Sequence, residues 1–315
     1  MLATLTDQPF SDPEWVFEQK LDGVRCLAFR DGGAVRLMSR NRKPLTGTYP
    51  ELAAALTQQQ TTRFIVDGEI VAFKDGISSF ERLQGRLGLR DPTRARATAI
   101  PVFYYVFDLL WLDGYDVTGL ELRDRKRLLR SVLSFQGPIR YSAHRDREGE
   151  TIYRAACARG LEGIVAKRAA SPYVHRRSSD WLKFKCVVEQ ELVIGGWTDP
   201  EGTRTGFGAL LVGYYDDRAL LYAGKVGTGY DQTTLDRLAA RLRRLVRRRS
   251  PFTRGNPPTR GTHWVQPALV GQFGFTEWTR DGRLRHPRFL GLRDDKTAAE
   301  VVRERPSRAR RARRS

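Results

Sequence analysis

Cysteine is scarce in this 315-residue chain: the three, Cys26, Cys157 and Cys186, lie far apart and form no CxxC pair. Isolated thiols of this kind argue against a disulfide framework and against a structural zinc module. Long apolar runs are missing as well, none approaching the roughly 20 residues that a membrane-spanning helix needs. The first residues carry Asp7, Asp12 and Glu14 without an apolar stretch, unlike a secretory signal. A cytoplasmic protein with no membrane partner is therefore expected. Acidic residues are outnumbered, 36 against 55 basic ones, for a net charge of +19. A surplus of that size favours a polyanionic partner, and nucleic acid is the usual one.

Within the basic surplus lysine is sparse. There are nine: Lys20, Lys43, Lys74, Lys126, Lys167, Lys183, Lys185, Lys225 and Lys296. Arginine cannot shed its proton in a protein, whereas a lysine amine can become a nucleophile. Places where an arginine-rich chain keeps lysine therefore point to chemistry.

What the chain does have is short stretches of period-two alternation. Val24, Cys26 and Ala28 take one face of a strand while Leu27 and Phe29 take the other. Further strands are predicted at 34–39, 63–73, 102–112, 162–168 and 181–194, rich in Val, Ile, Phe, Tyr and Trp. Helical spacing appears at 49–59, 121–133, 148–159 and 233–248. Strand clusters interrupted by helices, without regular βαβ alternation, give an α+β class with largely antiparallel sheets. After Cys186 the strands are broken by glycines, including Gly195, Gly196, Gly206 and Gly208, and one helix follows. Some five strands and one helix suit a small Greek-key barrel of the OB type. The expected domains are 1–186 and 187–305, with an arginine-rich disordered tail at 306–315. A length of 315 residues leaves room for two domains.

The segment Glu18-Gln19-Lys20-Leu21-Asp22-Gly23-Val24-Arg25 places a lysine at the end of a strand. The Asp-Gly pair after it reads as a hairpin turn into a returning strand, which would present the amine from a rigid element. Downstream, in order, come Ser39-Arg40-Asn41, Val66-Asp67-Gly68-Glu69-Ile70-Val71 and Tyr105-Val106-Phe107-Asp108-Leu109-Leu110. Leu161-Glu162-Gly163-Ile164-Val165-Ala166-Lys167, Trp181-Leu182-Lys183-Phe184-Lys185 and Arg293-Asp294-Asp295-Lys296 complete the series. The series resembles the six-motif signature of the covalent nucleotidyltransferases: DNA ligases, RNA ligases and mRNA capping enzymes. Each motif is short; their joint order over residues 12–303 carries the resemblance.

That resemblance implies an adenylation domain of antiparallel sheets with flanking helices, followed by an OB-fold barrel. It implies roles as well. Lys20 is the nucleophile that takes AMP, and Glu18 lies near the adenine edge. Arg25 and Glu69 hold the ribose, and Phe107 stacks on adenine. Arg40 touches the 5′-phosphate of a nick. Glu162, with Glu69, serves the metal. Lys167, Lys183 and Lys185 contact phosphates, and Lys296 orients the pyrophosphate leaving group. The chemistry agrees. Neighbouring cations should lower the pKa of an attacking amine. Lys183 and Lys185, two apart on one strand, point to one side, and carboxylate oxygens suit Mg²⁺, with Mn²⁺ an alternative.

Within the superfamily, the absence of a four-cysteine zinc module and of a long segment before Lys20 sets aside the NAD-dependent ligases and makes ATP the expected donor. The runs Phe107-Asp108-Leu109-Leu110-Trp111-Leu112-Asp113-Gly114, Gly224-Lys225-Val226-Gly227-Thr228-Gly229 and Arg288-Phe289-Leu290-Gly291-Leu292-Arg293 look most like small bacterial ATP-dependent DNA ligases. These are related to the ligase module of non-homologous end joining. An RNA ligase or capping-type transferase is the rival reading, and a non-catalytic OB-type nucleic-acid-binding protein the second. The expected substrate is nicked or broken duplex DNA at the bacterial nucleoid. A Ku-type end-binding protein or a repair polymerase is the expected partner, and the ligase is expected to be monomeric, free-standing or a module.

Overall fold

A computed structural model of the chain describes residues 1–186, 189–200 and 205–305. The expected tail at 306–315 lies outside them, as do residues 187 and 188 of the junction between the expected domains. The chain divides into two compact units, Met1–Val187 and Val188–Glu304. Among the described residues no helix is long and apolar enough to cross a membrane.

Two large sheets, with a two-stranded one of Phe73–Lys74 and Ile77–Ser78, build the first unit. One has the strand order Leu2–Leu5, Arg177–Lys185, Gly163–Arg168, Trp15–Lys20, His144–Asp146. The other runs Ile139–Tyr141, Phe103–Leu112, Arg63–Val71, Val24–Asp31, Ala34–Ser39. Pairing is antiparallel except where Leu2–Leu5 and Ile139–Tyr141 add as parallel strands. Alternation assigns each sheet two unlike faces. Phe17, Ile164, Ala166, Leu182 and Phe184 of the first sheet pack with Ala156 of the helix Gly149–Ala158. Burial of each large side chain there contributes about 1.5–3 kcal/mol. Val24, Cys26, Ala28, Val66, Ile70 and Tyr104 of the second sheet pack against Leu52 and Leu56 of the helix Pro50–Thr57. The helix Leu122–Val132 adds Leu129 to that core.

The second unit is built on a six-stranded antiparallel sheet and one α-helix, with a small two-stranded sheet of Glu277–Trp278 and Leu284–Arg285. The order of the larger sheet is Ala219–Val226, Leu210–Asp216, Glu189–Thr198, Thr262–Gly274, Val246–Arg247, with Arg288–Leu292 also paired to Thr262–Gly274. Helix Gln232–Arg243 is capped by Asp231, whose side chain accepts from Thr234 N at 2.7 Å. It buries Leu235, Leu238, Ala239 and Leu242, a single stripe at helical spacing.

Four expectations need correction. The Asp22-Gly23 turn does not close a hairpin: Trp15–Lys20 and Val24–Asp31 belong to different sheets. Asp22 instead accepts from Phe80 N at 2.9 Å and its own N–H donates to Ser78 Oγ at 3.1 Å. A Cβ on Gly23 would stand 2.2 Å from Ile70 O, so the crossing passes too close to the second sheet for a side chain. The single strand expected at 181–194 is two, Arg177–Lys185 and Glu189–Thr198, one in each unit. The helix expected at 233–248 stops at Arg243, and Val246–Arg247 returns as a strand opposite Val265 and Trp264. Finally, Cys157 and Cys186 form a disulfide, with Cα atoms 5.0 Å apart. Linear separation hid a contact made when the end of a helix meets the end of a strand.

Candidate active site

Strand register gathers the site on one face of the first sheet. Lys20, Gly163 and Lys185 form a row across three strands; Glu18, Val165 and Lys183 form the next; Val16, Lys167 and Trp181 the third. Period-two alternation therefore turns Lys20, Lys167, Lys183 and Lys185 to the same side, opposite the apolar core. The middle position of the first row has no side chain. A Cβ on Gly163, whose φ is +145°, would stand 1.9 Å from Phe184 O. Lys20 and Lys185 thus face each other across bare backbone.

Lys20 is mostly buried and its Nζ donates to Glu162 Oε1. Burial lowers the pKa of the amine, but the attraction of Glu162 outweighs it, with Asp22 and Glu69 adding, so the proton is held more tightly than on a free lysine. The expected lowering by neighbouring cations is therefore reversed in this arrangement, because the nearest charge is a carboxylate. The other Glu162 oxygen, Oε2, is buried and accepts no hydrogen bond among the described residues.

The second sheet contributes the opposing wall. Arg25 and Glu69 are direct cross-strand partners. The Arg25 guanidinium donates through Nε to Asp67 Oδ1 at 3.0 Å and through Nη2 to Asp67 Oδ2 at 2.5 Å, a two-point fork. Tyr173 donates to the same Oδ2 at 2.8 Å. The Arg25 Cζ lies 5.1 Å from the Phe107 ring centroid, and Phe107 meets Trp181 edge to face at 5.8 Å. Lys167 Nζ stands 4.3 Å from the Phe107 centroid and 4.2 Å from that of Trp181. Two walls, one carrying lysines and one carrying an arginine and an aromatic ring, can hold a nucleotide with its phosphates toward the lysines and its base toward the ring.

Glu18 is buried within a polar cluster. Lys126 Nζ donates to its Oε1 at 2.6 Å, and Lys167 Nζ and Ser142 Oγ each donate to Oε2 at 2.9 Å. Burial alone would raise the Glu18 pKa, but the two ammonium groups prevail and hold it down to about 2. Lys167 is pushed by burial to about 8, with Glu18 opposing and Lys126 assisting.

Residues 1–185 match the family described as ATP dependent DNA ligase domain, and residues 203–296 that described as ATP dependent DNA ligase C terminal region. The chain belongs to the ATP-dependent DNA ligases. Its two units are the nucleotidyltransferase domain and the OB-fold domain of that family. The chain is 38% identical over 315 residues to the multifunctional non-homologous end joining protein LigD of Pseudomonas aeruginosa, covering 97% of this chain and 36% of that one. It is 33% identical over 304 residues to a probable DNA ligase of Streptomyces avermitilis, covering 90% of this chain and 57% of that one. The chain thus spans little more than a third of the LigD protein that it matches. Among solved structures, mycobacterial DNA ligase D complexed with ATP and MES aligns with a TM-score of 0.65 and 34% identity. That alignment covers 96% of this chain and 98% of the other.

Two further residues expected to act belong to other elements. Arg40 follows the strand Ala34–Ser39 in a tight turn where Arg42 has a φ of +58°, one residue beyond the pairing of Ser39 with Cys26. Lys296 belongs to the second unit, its Nζ 3.4 Å from Glu191 Oε1. Three residues that sequence reasoning did not select hold expected ones in place: Asp67 holds Arg25, and Lys126 and Ser142 hold Glu18. Asp67 lies within the Val66–Val71 motif, which is signal enough to find it. Lys126 sits in an ordinary charged helix and carries no such signal.

Proposed function

We propose that this chain seals breaks in duplex DNA by taking AMP from ATP onto Lys20, passing it to a DNA 5′-phosphate, and joining the ends. The observation that carries the reading is the row Lys20–Gly163–Lys185, with Lys183 on the same face and Glu162 against the nucleophile. In the first step Lys20 gives up the proton that Glu162 holds on it, passing it by way of Glu162 to solvent, and the neutral amine attacks the α-phosphorus of ATP, shedding its second proton by the same path. A P–N bond forms and the P–O bond to pyrophosphate breaks. Lys183 and Lys185 are placed to neutralise charge on the phosphoryl oxygens, and Lys167 to meet the nucleotide beside Phe107. Arg25 and Glu69 face the ribose, and Arg40 awaits the 5′-phosphate of the nick.

Glu162 Oε2, without a donor among the described residues, fits a divalent cation, since a buried carboxylate oxygen in that state calls for a positive ligand. Glu162, with Glu69 as the second carboxylate, would hold Mg²⁺ or Mn²⁺ there. When bound, such an ion supplies positive charge to the phosphate oxygens. Among the described residues no group of three or more His, Cys, Asp or Glu gathers as a metal cage. That suits an ion completed by phosphate and water. The relatives named for non-homologous end joining support work at double-strand breaks; a Ku-type end-binding protein or a repair polymerase is the partner that this reading calls for.

The test is labelling with α-labelled ATP and Mg²⁺. Wild type should take the label and discharge it on nicked duplex DNA with joining. Lys20→Arg should take none, because arginine keeps the charge but is a poor nucleophile. Mass spectrometry placing AMP on another residue, or label that discharges on nicked RNA and not on DNA, would overturn the reading.

A further inference from the structure

We propose that Lys126 is a positioning residue for base recognition: by clamping Glu18 it fixes Glu18 and Lys167 as an acceptor–donor pair that fits the edge of adenine and opposes that of guanine. The inference rests on the reading that ATP binds with its base over Phe107.

Lys126 is 2% exposed, while its neighbour Arg127 on the same helix is 78% exposed. Its place in the stripe Leu122, Arg125, Lys126, Leu129 is one that an apolar residue would fill in most helices. A buried amine there needs a cause. Neutralising Glu18 is not sufficient, because Lys167 already does so at 2.9 Å. Two ammonium groups on one buried carboxylate are an excess of positive charge, which is costly to keep out of water. What Lys126 adds is direction. Its Nζ bridges Glu18 Oε1 and the Ser142 carbonyl, at 2.6 and 3.1 Å, while the Ser142 hydroxyl holds Oε2. The carboxylate is thereby fixed in rotation.

A carboxylate offers about four acceptor positions. Lys126, Ser142 and Lys167 take three here, which leaves one for a ligand. Lys167 spends one of its three N–H donors on Glu18 and stands over both aromatic rings. A base that enters over Phe107 displaces the Lys167 ammonium to its own edge, where Lys167, still bonded to Glu18, and the carboxylate meet the base as donor and acceptor side by side. Adenine brings an amino donor next to a ring-nitrogen acceptor, the complement of that pair. Guanine brings a keto acceptor next to an N–H donor, the reverse order. Its keto oxygen would face the carboxylate, a mismatch that polar sites reject strongly. Held near a pKa of about 2, Glu18 keeps no proton to donate to that oxygen at neutral pH. Without Lys126 the carboxylate could turn toward Lys167, and the fixed order of acceptor and donor would be lost.

The experiment compares self-labelling of the full chain by α-labelled ATP and α-labelled GTP, for wild type, Lys126→Met and Ser142→Ala, with thermal melts as the folding control. Lys126→Met should raise KM for ATP about tenfold, with a smaller change in kcat, and cut the preference for ATP over GTP about tenfold. Ser142→Ala should move both in the same direction by less. A folded Lys126→Met with unchanged preference overturns the inference, as does a loss of kcat with KM and preference intact. Should Lys126→Met fail to fold, Ser142→Ala decides: a preference equal to that of wild type overturns the inference. A wild type that takes no label from ATP defeats the underlying reading as well, whereas a labelled wild type with indifferent variants defeats the inference alone.

Discussion

Glu18 and Glu162 are both buried carboxylates beside lysines, yet their surroundings set them to different tasks. Glu162 has one oxygen on Lys20 and one without a donor among the described residues, whereas both Glu18 oxygens are occupied. The depressed pKa of Glu18 carries a stability consequence. Its folded value of about 2 lies below the ordinary 4.5, so the folded state resists protonation that the unfolded chain accepts. The contribution is complete above about pH 4.5 and is lost as pH falls toward about 2, in total about 3 kcal/mol. Urea midpoints measured from pH 6 to pH 3 should therefore fall more steeply for wild type than for Glu18→Gln, which starts less stable. Equal slopes would show that Glu18 is not held down in this way. At this scale the order of motifs singles out Lys20, Glu69, Lys183 and Lys185, and strand register sets Lys20, Lys183 and Lys185 on one face and pairs Glu69 with Arg25. Lys126 and Ser142 are not readable in that way, because their meaning lies in distances to a residue more than a hundred positions away.

Gly163 shows what a whole strand contributes. It separates Lys20 from Lys185 by backbone alone, and its carbonyl neighbour leaves no volume for a methyl group. Gly163→Ala should cost about 2–4 kcal/mol through steric overlap and a positive φ. It should also push the two lysine strands apart, so both the melting temperature and ATP labelling should drop. A variant that melts and labels like wild type would mean that the strands give way easily. Most elements are legible from periodicity: the expected helices at 49–59, 121–133 and 148–159 are found at Pro50–Thr57, Leu122–Val132 and Gly149–Ala158. What periodicity does not reveal is sheet membership. The Asp-Gly pair after Lys20 has the composition of a hairpin turn, and only the hydrogen bonds to Ser78 and from Phe80 show that the chain crosses to another sheet. Parallel edge strands such as Leu2–Leu5 escape notice because four residues carry too little alternation to register.

For the molecule as a whole, the two units carry different parts of the expected signature. Lys296 lies in the second unit beside Glu191, while Lys20 lies in the first. The family pattern sets Lys296 on the pyrophosphate of ATP, a group present only in the first step. We therefore propose that Lys296 serves that step alone. Lys296→Ala should depress ATP labelling at least about tenfold and affect the joining of a pre-adenylylated nick far less. Loss of the final step alone would sink this division. The covalent topology of the first unit has a consequence of a different kind. The Cys157–Cys186 bond spans a sequence separation of 29, and Glu162, Gly163, Lys167, Trp181, Lys183 and Lys185 all fall inside the loop that it closes. That half of the site is a macrocycle even when the chain is unfolded, which by chain entropy favours the native pairing by about 3–4 kcal/mol. Reducing surroundings open the ring and oxidising ones close it, so the thiol balance around the enzyme sets how firmly its lysine strands are tethered.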